Sequence, residues 1–216
     1  PNYDNWMKQL ALFPYEARVL RADYFFELAR RYGDIAMPLA TLTTEEANTI
    51  GKTSFEEVIS FIVSECEDAA KNLPATYVGQ PNNETGRITK GFAMAVKSKA
   101  LLYAASKLHN PSNNTAKWEA SAKAAYDIIK TNLYQLDPNE KANNITSPEV
   151  ILFRMNGNSA AFERNNFPIR FTEGTRTTPT TATFPSQNLV DAFQTINGYS
   201  VTLTDTGWEC KDPEFN

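Results

Sequence analysis

Four stretches of this sequence repeat apolar side chains every three or four residues, the spacing that gathers them on one side of an α-helix. From Glu16 to Tyr32 the apolar set is Ala17, Leu20, Tyr24, Phe25, Leu28 and Tyr32, and Gly33 supplies a stop. From Ser54 to Asn72 it is Phe55, Val58, Ile59, Ile62, Cys66 and Ala69, continued by Leu73. Ser54 and Glu57 have the spacing of a capping box, and Pro74 closes the segment. From Thr89 to Leu108, Ala93, Ala95, Ala100, Ala104 and Ala105 alternate with Met94, Val96, Leu101, Leu102 and Tyr103, so this helix is apolar on most sides and expected to be buried. After the break at Asn110-Pro111, Trp118, Ala122, Ala125, Ile128 and Ile129 mark a helix from Ala116 to Thr131.

Large residues set against alanine-lined faces are what helical pairs need in order to stack closely. The expected fold class is therefore mainly α, with tetratricopeptide-like helical pairs in an α-α superhelix. No strict 34-residue period is present, which leaves a plain helical bundle as the alternative. Tyr24, Phe25, Ile59, Ile62, Leu102, Tyr103, Trp118 and Ile129 are the expected buried residues, each on a periodic stripe. Beyond Asn132 the character changes to Gly, Pro, Asn and Thr, with one short strand expected at Glu149 to Arg154 and one short helix at Ser186 to Phe193. This divides the chain into a helical region, 1–135, and an irregular, loop-rich region, 136–216, within one structural domain. Long irregular connections in a compact domain are the usual place for binding.

Composition narrows the functional classes. Twenty-five acidic against 21 basic residues, a formal charge of -4 and no basic cluster argue against a nucleic-acid partner. The apolar run Val58 to Val63 is interrupted by Ser60 and is far shorter than the roughly 20 residues that span a bilayer. Cys66 falls on a helix face and Cys210 in an irregular stretch, a spacing that suggests neither zinc nor redox chemistry.

Catalytic constellations are equally scarce. The single histidine, His109, sits beside Asn110-Pro111 with no Gly-x-Ser-x-Gly elbow in the sequence, and a structural or solvent-exposed role is expected for it. One histidine cannot build a multi-histidine zinc site, and no phosphate-cradling glycine loop or EF-hand loop occurs, so neither a metal nor a cofactor is expected. Glu163, Glu173, Asp191 and Asp205 could in principle supply the paired carboxylates of a glycosidase, but no motif surrounds them and solvated acids are the simpler reading. The chain is expected not to be an enzyme.

Several segments resemble one family in order. RADYFFELARRYGDI from Arg21 to Ile35, TSFEEVISFIVSECEDAAKNLP from Thr53 to Pro74 and GRITKGFAMAVKSKALLYAASKLHNP from Gly86 to Pro111 are similar to consecutive helices of the SusD/RagB family of outer-membrane nutrient-binding lipoproteins. Trp118 with Ala124-Ala125, Tyr134-Gln-Leu136, Ser147-Pro-Glu-Val-Ile151, the stretch Phe184 to Phe193 and Asp212-Pro213 continue the match. The stretch from Asn156 to Thr183 follows no pattern of that family.

The resemblance implies a surface-exposed, lipid-anchored protein of the Bacteroidota outer membrane that captures a nutrient for a TonB-dependent, SusC-like transporter. It implies that this chain is an internal fragment, with the membrane reached only through an anchor that the chain lacks. The ligand would be a glycan, with a peptide as the alternative. Phe162, Arg164, Asn165, Phe167, Arg170 and Trp208 are the candidate ligand-binding residues, since sugar rings stack on aromatic faces while their hydroxyls pair with Arg and Asn. A different class of function, a helical-repeat scaffold for a protein or peptide partner, fits the stacked pairs as well.

Overall fold

The computed structural model describes residues 3–78, 86–136, 147–153, 186–204 and 207–211, with the side chains of Asn5, Leu203, Thr204 and Trp208 outside the described set. The chain divides into two compact units, residues 1–155 and 156–216.

The first unit is helical. Helix α1 spans Tyr3–Leu10 and α2 spans Phe13–Tyr32. Helix α2 starts earlier than its apolar stripe suggests because Pro14 lies in its first turn, where a missing N–H costs nothing. Gly33 ends α2 at φ 71°, a conformation that favours glycine. Helix α3, Thr44–Thr49, carries a capping box between Thr43 and Glu46 and was not anticipated from periodicity. Helix α4, Phe55–Asn72, has the Ser54–Glu57 capping box that the sequence promises. Asp34 Oδ1 also accepts from the Phe55 N–H at 2.8 Å, so the α2–α4 connection is tied to the start of α4.

Helix α5 spans Lys90–Ala105 behind the Thr89 cap, three residues shorter than expected at its end, because Ser106 adopts an extended conformation. Helix α6 spans Thr115–Lys130. Buried Asn110 makes the break between them: its Nδ2 donates to the Asn114 carbonyl at 3.1 Å and its Oδ1 accepts from the Asn114 N–H at 2.8 Å. Helix α4 packs against both α2 and α5, and α5 in turn against α6. This is the mainly helical, tetratricopeptide-like stack expected from the sequence.

The principal core joins Ala22, Phe25, Phe26 and Ala29 of α2 to Phe55, Val58, Ile59, Ile62 and Cys66 of α4 and to Val96 and Ala100 of α5. Each large member contributes roughly 1.5–3 kcal/mol by leaving water. Phe25 and Ile59 are buried and Ile62 is fully buried, while Tyr103 packs partly buried, edge-on to Phe26.

Four other expected core residues are not in it. Tyr24, Leu102, Trp118 and Ile129 are 63%, 49%, 42% and 69% exposed. In α2 the buried face is Val19, Ala22, Phe26 and Ala29 with Phe25, whereas Leu20, Tyr24, Leu28 and Tyr32 are exposed. Residue 22 and residue 24 differ by about 200° of helical rotation, so Tyr24, with Leu20, Leu28 and Tyr32, lies on nearly the opposite side from Ala22. In α6 the buried positions are Ser121 and Ala124. Small residues permit close helix approach, and α6 turns its small face inward, whereas α2 buries Phe25 and Phe26 beside Ala22 and Ala29.

The expected strand at Glu149 to Arg154 does not form over its described part. Glu149 is in a turn, Ile151 is a bend and the other residues to Phe153 have no regular structure, with Val150 N–H donating back to the Ser147 carbonyl at 3.2 Å, and a strand needs a ladder partner that this turn does not supply. Arg154 lies outside the described residues.

The second unit holds helix α7, Gln187–Asp191, capped by Ser186. An antiparallel pair follows, β1 at Val201–Thr204 and β2 at Gly207–Cys210, with Val201 opposite Cys210 and Leu203 opposite Trp208. This hairpin replaces the loop expected there. Its signal was in the sequence, because apolar residues alternate through Val201, Leu203, Trp208 and Cys210.

Candidate functional site

A cleft of about 710 Å³ opens within the first unit, where the α4–α5 connection meets the chain leaving α6. Its walls include Tyr77, Arg87, Tyr134, Ser147 and Phe153, with Thr76 and Thr89 beside them. Helix α4 gives way to this connection because Leu73 is extended and Pro74 follows. The Lys90 N–H then donates to the Pro74 carbonyl at 2.9 Å, drawing the two ends of the connection together.

Two glycines shape the cleft. Gly91 is buried in the first turn of α5, and a Cβ there would collide with the Tyr134 hydroxyl, so only glycine lets that ring lie against the helix. Gly86 has φ 88°, and a Cβ there would lie 3.4 Å from the Phe153 carbonyl oxygen. Leu152 packs on the second core cluster with Val19, Ala69, Leu73, Ile88 and Ala93, which anchors residues 147–153 to the helices.

A polar network lies behind the walls. Tyr77, 5% exposed, donates from Oη to Glu16 Oε1 at 2.5 Å, with the Ile88 carbonyl oxygen 3.2 Å away. Arg87 Nη2 reaches the same Glu16 oxygen at 2.5 Å, both side chains being largely buried. The Arg87 guanidinium carbon stands 4.6 Å from the Tyr77 ring centre and 5.0 Å from that of Phe13. Glu16, in the first turn of α2, thereby fastens that helix to the chain entering α5.

No family model matches the sequence. Over 121 residues, 56% of this chain, it is 25% identical to the SusD-like protein P25 of Formosa agariphila, and the match covers 20% of that protein. Its fold is similar to a SusD-like carbohydrate binding protein of Bacteroides fragilis, at 29% identity and a TM-score of 0.52, covering 62% of this chain and 24% of that one. A further SusD-like protein of Bacteroides fragilis is 28% identical at a TM-score of 0.54, with 67% and 27% covered.

In sequence and in fold the chain is similar to SusD-like proteins. The resemblance read in the sequence is thus found again in these comparisons, over 56% to 67% of the chain. The chain spans 20% to 27% of the length of these relatives.

Of the ligand-binding residues expected from the SusD-like sequence, Phe162, Arg164, Asn165, Phe167 and Arg170 lie outside the described residues, as do Glu163, Glu173 and Asp205. Trp208 is in β2 opposite Leu203, with its side chain outside the described set. Asp191 accepts from Gln187 Nε2 at 2.7 Å on α7.

His109 has a packing role in the first unit. Its ring stacks on Phe55 at 3.6 Å between centres and 6° between planes. Burial, with Lys117 nearby, holds its pKa below the ordinary histidine value. The Cys66 thiol is buried in α4 and pushed up to about 12 by burial, which removes it as a thiolate nucleophile at neutral pH. The cleft residues Tyr77, Arg87, Tyr134 and Phe153 were not singled out in the sequence. The signal that marks them is glycine: Gly91 weakens an otherwise alanine-rich helix by about 0.5–1 kcal/mol, which implies a close approach by another group.

Proposed function

We propose that this SusD-like chain serves the non-catalytic capture of an oligosaccharide at the bacterial surface, for delivery to a SusC-like, TonB-dependent transporter. One observation carries the reading: the fold and sequence likeness to a Bacteroides fragilis protein described as carbohydrate binding. The residue types support it, because Phe162, Phe167 and Trp208 offer stacking faces among Arg164, Asn165 and Arg170. In this reading the protein is a lipid-anchored outer-membrane protein of the Bacteroidota, and no cofactor takes part.

The same reading divides the labour between regions. The loops after Val150 hold the ligand, and the helical unit offers its surface to the transporter, since stacked helices give a rigid face suited to a lasting protein contact. Exposed Trp118, Tyr126 and Ile129 on α6 are the apolar anchors available for it. Lys123, 78% exposed in its side chain, borders that face. Lys97, another candidate surface charge, pairs with Glu67 of α4 at 2.7 Å, more closely than Lys123 does with Asp127 at 3.6 Å, and is the poorer reporter.

A glycan array probed with the 216-residue chain tests the proposal. Saturable binding that Trp208→Ala weakens, with the sugar recovered intact, is the expected result. Sustained release of sugar products that is lost in Glu163→Gln or Glu173→Gln overturns it, as does saturable binding of peptides alone.

A further inference from the structure

We propose that the cleft of the helical unit is itself a carbohydrate subsite, taking one neutral sugar ring against its aromatic and aliphatic walls. The inference rests on the reading of this chain as a glycan binder and adds a contact outside the segment from Phe162 to Trp208.

Size comes first. About 710 Å³ lies within the roughly 300–1,000 Å³ typical of small-molecule sites. Charge selects next. Among the described lining residues Arg87 is the cation, and Glu16 already holds it in a largely buried pair at 2.5 Å. A carboxylate or phosphate would have to compete with Glu16 for that guanidinium, so the cleft favours an uncharged ligand.

The mixed walls select further. Tyr77, Tyr134 and Phe153 stand with Val150, Ile151 and Leu152, yet Thr76, Thr89 and Ser147 share the lining. The Thr76 and Thr89 oxygens accept from the Val78 and Phe92 N–H groups at 3.1 and 3.3 Å, and their hydroxyl protons suit a sugar oxygen better than a wholly apolar ligand. A pyranose has C–H faces for the rings and hydroxyl edges for the polar groups, and it carries no charge.

The walls are also set before any ligand arrives. Gly91 admits Tyr134, Gly86 admits the Phe153 backbone, and Glu16 fixes Tyr77 and Arg87 together. Little ordering then remains for binding to bring about. Val78, 67% exposed, lies among the lining residues at a position where a larger side chain can grow without displacing the core.

The test is an amide-resolved NMR titration of the ¹⁵N-labelled chain with the methyl glycosides of glucose, galactose, mannose and xylose. Shifts are expected at Thr76 to Val78, Arg87 to Thr89 and Leu133 to Gln135 for at least one glycoside. Val78→Trp is expected to weaken that binding at least tenfold, with its circular dichroism unchanged, while Trp208→Ala leaves the shifts in place. The subsite is overturned if these amides stay still, if Val78→Trp leaves the affinity unchanged, or if acetyl-Leu-Leu-amide moves them and no glycoside does. Oligosaccharide binding on an array without cleft shifts removes the subsite alone. Failure of every sugar, short or long, removes the capture reading together with the subsite.

Discussion

Helix α4 buries Phe55, Val58, Ile59, Ile62 and Cys66, the very residues of its apolar stripe. Helix α6 has a stripe nearly as regular, yet it buries Ser121 and Ala124 and leaves Trp118 and Ile129 in view of solvent. The two helices have different tasks in one stack. Helix α4 lies between two others and meets Phe25 and Phe26 of α2 with large side chains of its own, whereas α5 brings mainly Ala93 and Ala100, and α6 only Ser121 and Ala124, up to their partners. A periodic stripe therefore identifies a helix without saying which side meets the neighbour. In a close-packed pair the inward face can be the side with the smaller residues.

Truncation at the centre of α4 should give the largest effect of this contrast. Ile62→Ala is expected to destabilise the helical unit by about 2–5 kcal/mol, measured by urea unfolding, because Ile62 is fully exchanged from water and no neighbour can fill the gap cheaply. A loss below about 1 kcal/mol would mean that α4 is not the centre of the stack.

A middle-sized effect is expected where a small residue sets the helix approach. Gly91→Ala should cost about 1–3 kcal/mol by overpacking and should displace Tyr134, visible as altered tyrosine fluorescence or ring NMR shifts. If the melting temperature rose instead, as an alanine in a helix would otherwise favour, the contact between Tyr134 and α5 would be absent.

The α2–α4 contact also has an electrostatic component. Arg18 donates to Glu65 at 2.8 and 3.0 Å and to Asp68 at 2.6 Å, and Arg21 reaches Glu65 at 2.9 Å. Hydrogen bonding to Arg18, with Arg21 assisting, holds the Glu65 carboxyl below the ordinary value of 4.5. A depressed folded-state pKa means stability that is complete above the unfolded value and lost as pH falls through the folded one. Wild-type chain should thus lose more stability than Glu65→Gln between pH 5 and about 3. Parallel pH curves for the two would show that Glu65 does not join the helices.

The smallest effect is expected on α6. Trp118→Ala should change stability by less than about 1 kcal/mol, since the ring is 42% exposed and its indole N–H meets Asn113 Oδ1 at 3.2 Å on the surface. A cost as large as that of Ile62→Ala would place Trp118 in the core and erase the contrast.

These differences show what could be read in the sequence and why the rest could not. The limits of α4 were legible because Ser54, Glu57 and Pro74 encode them locally. The inward faces of α2 and α6 were not, because which side is covered depends on helices distant in sequence. The cleft was hidden for the same reason: Tyr77 comes from the α4–α5 connection and Tyr134 and Phe153 from the chain after α6, and packing alone brings them together. Gly86 and Gly91 were visible signs that something approaches closely, though they do not say what.

Capture without turnover is tested most directly by calorimetric titration of the intact chain with the strongest glycan found on an array. Saturable heat, together with recovery of the oligosaccharide at its original length after prolonged incubation, is the predicted result. Absence of saturable heat with every glycan, or recovery of shortened sugars in proportion to protein and time, would contradict it.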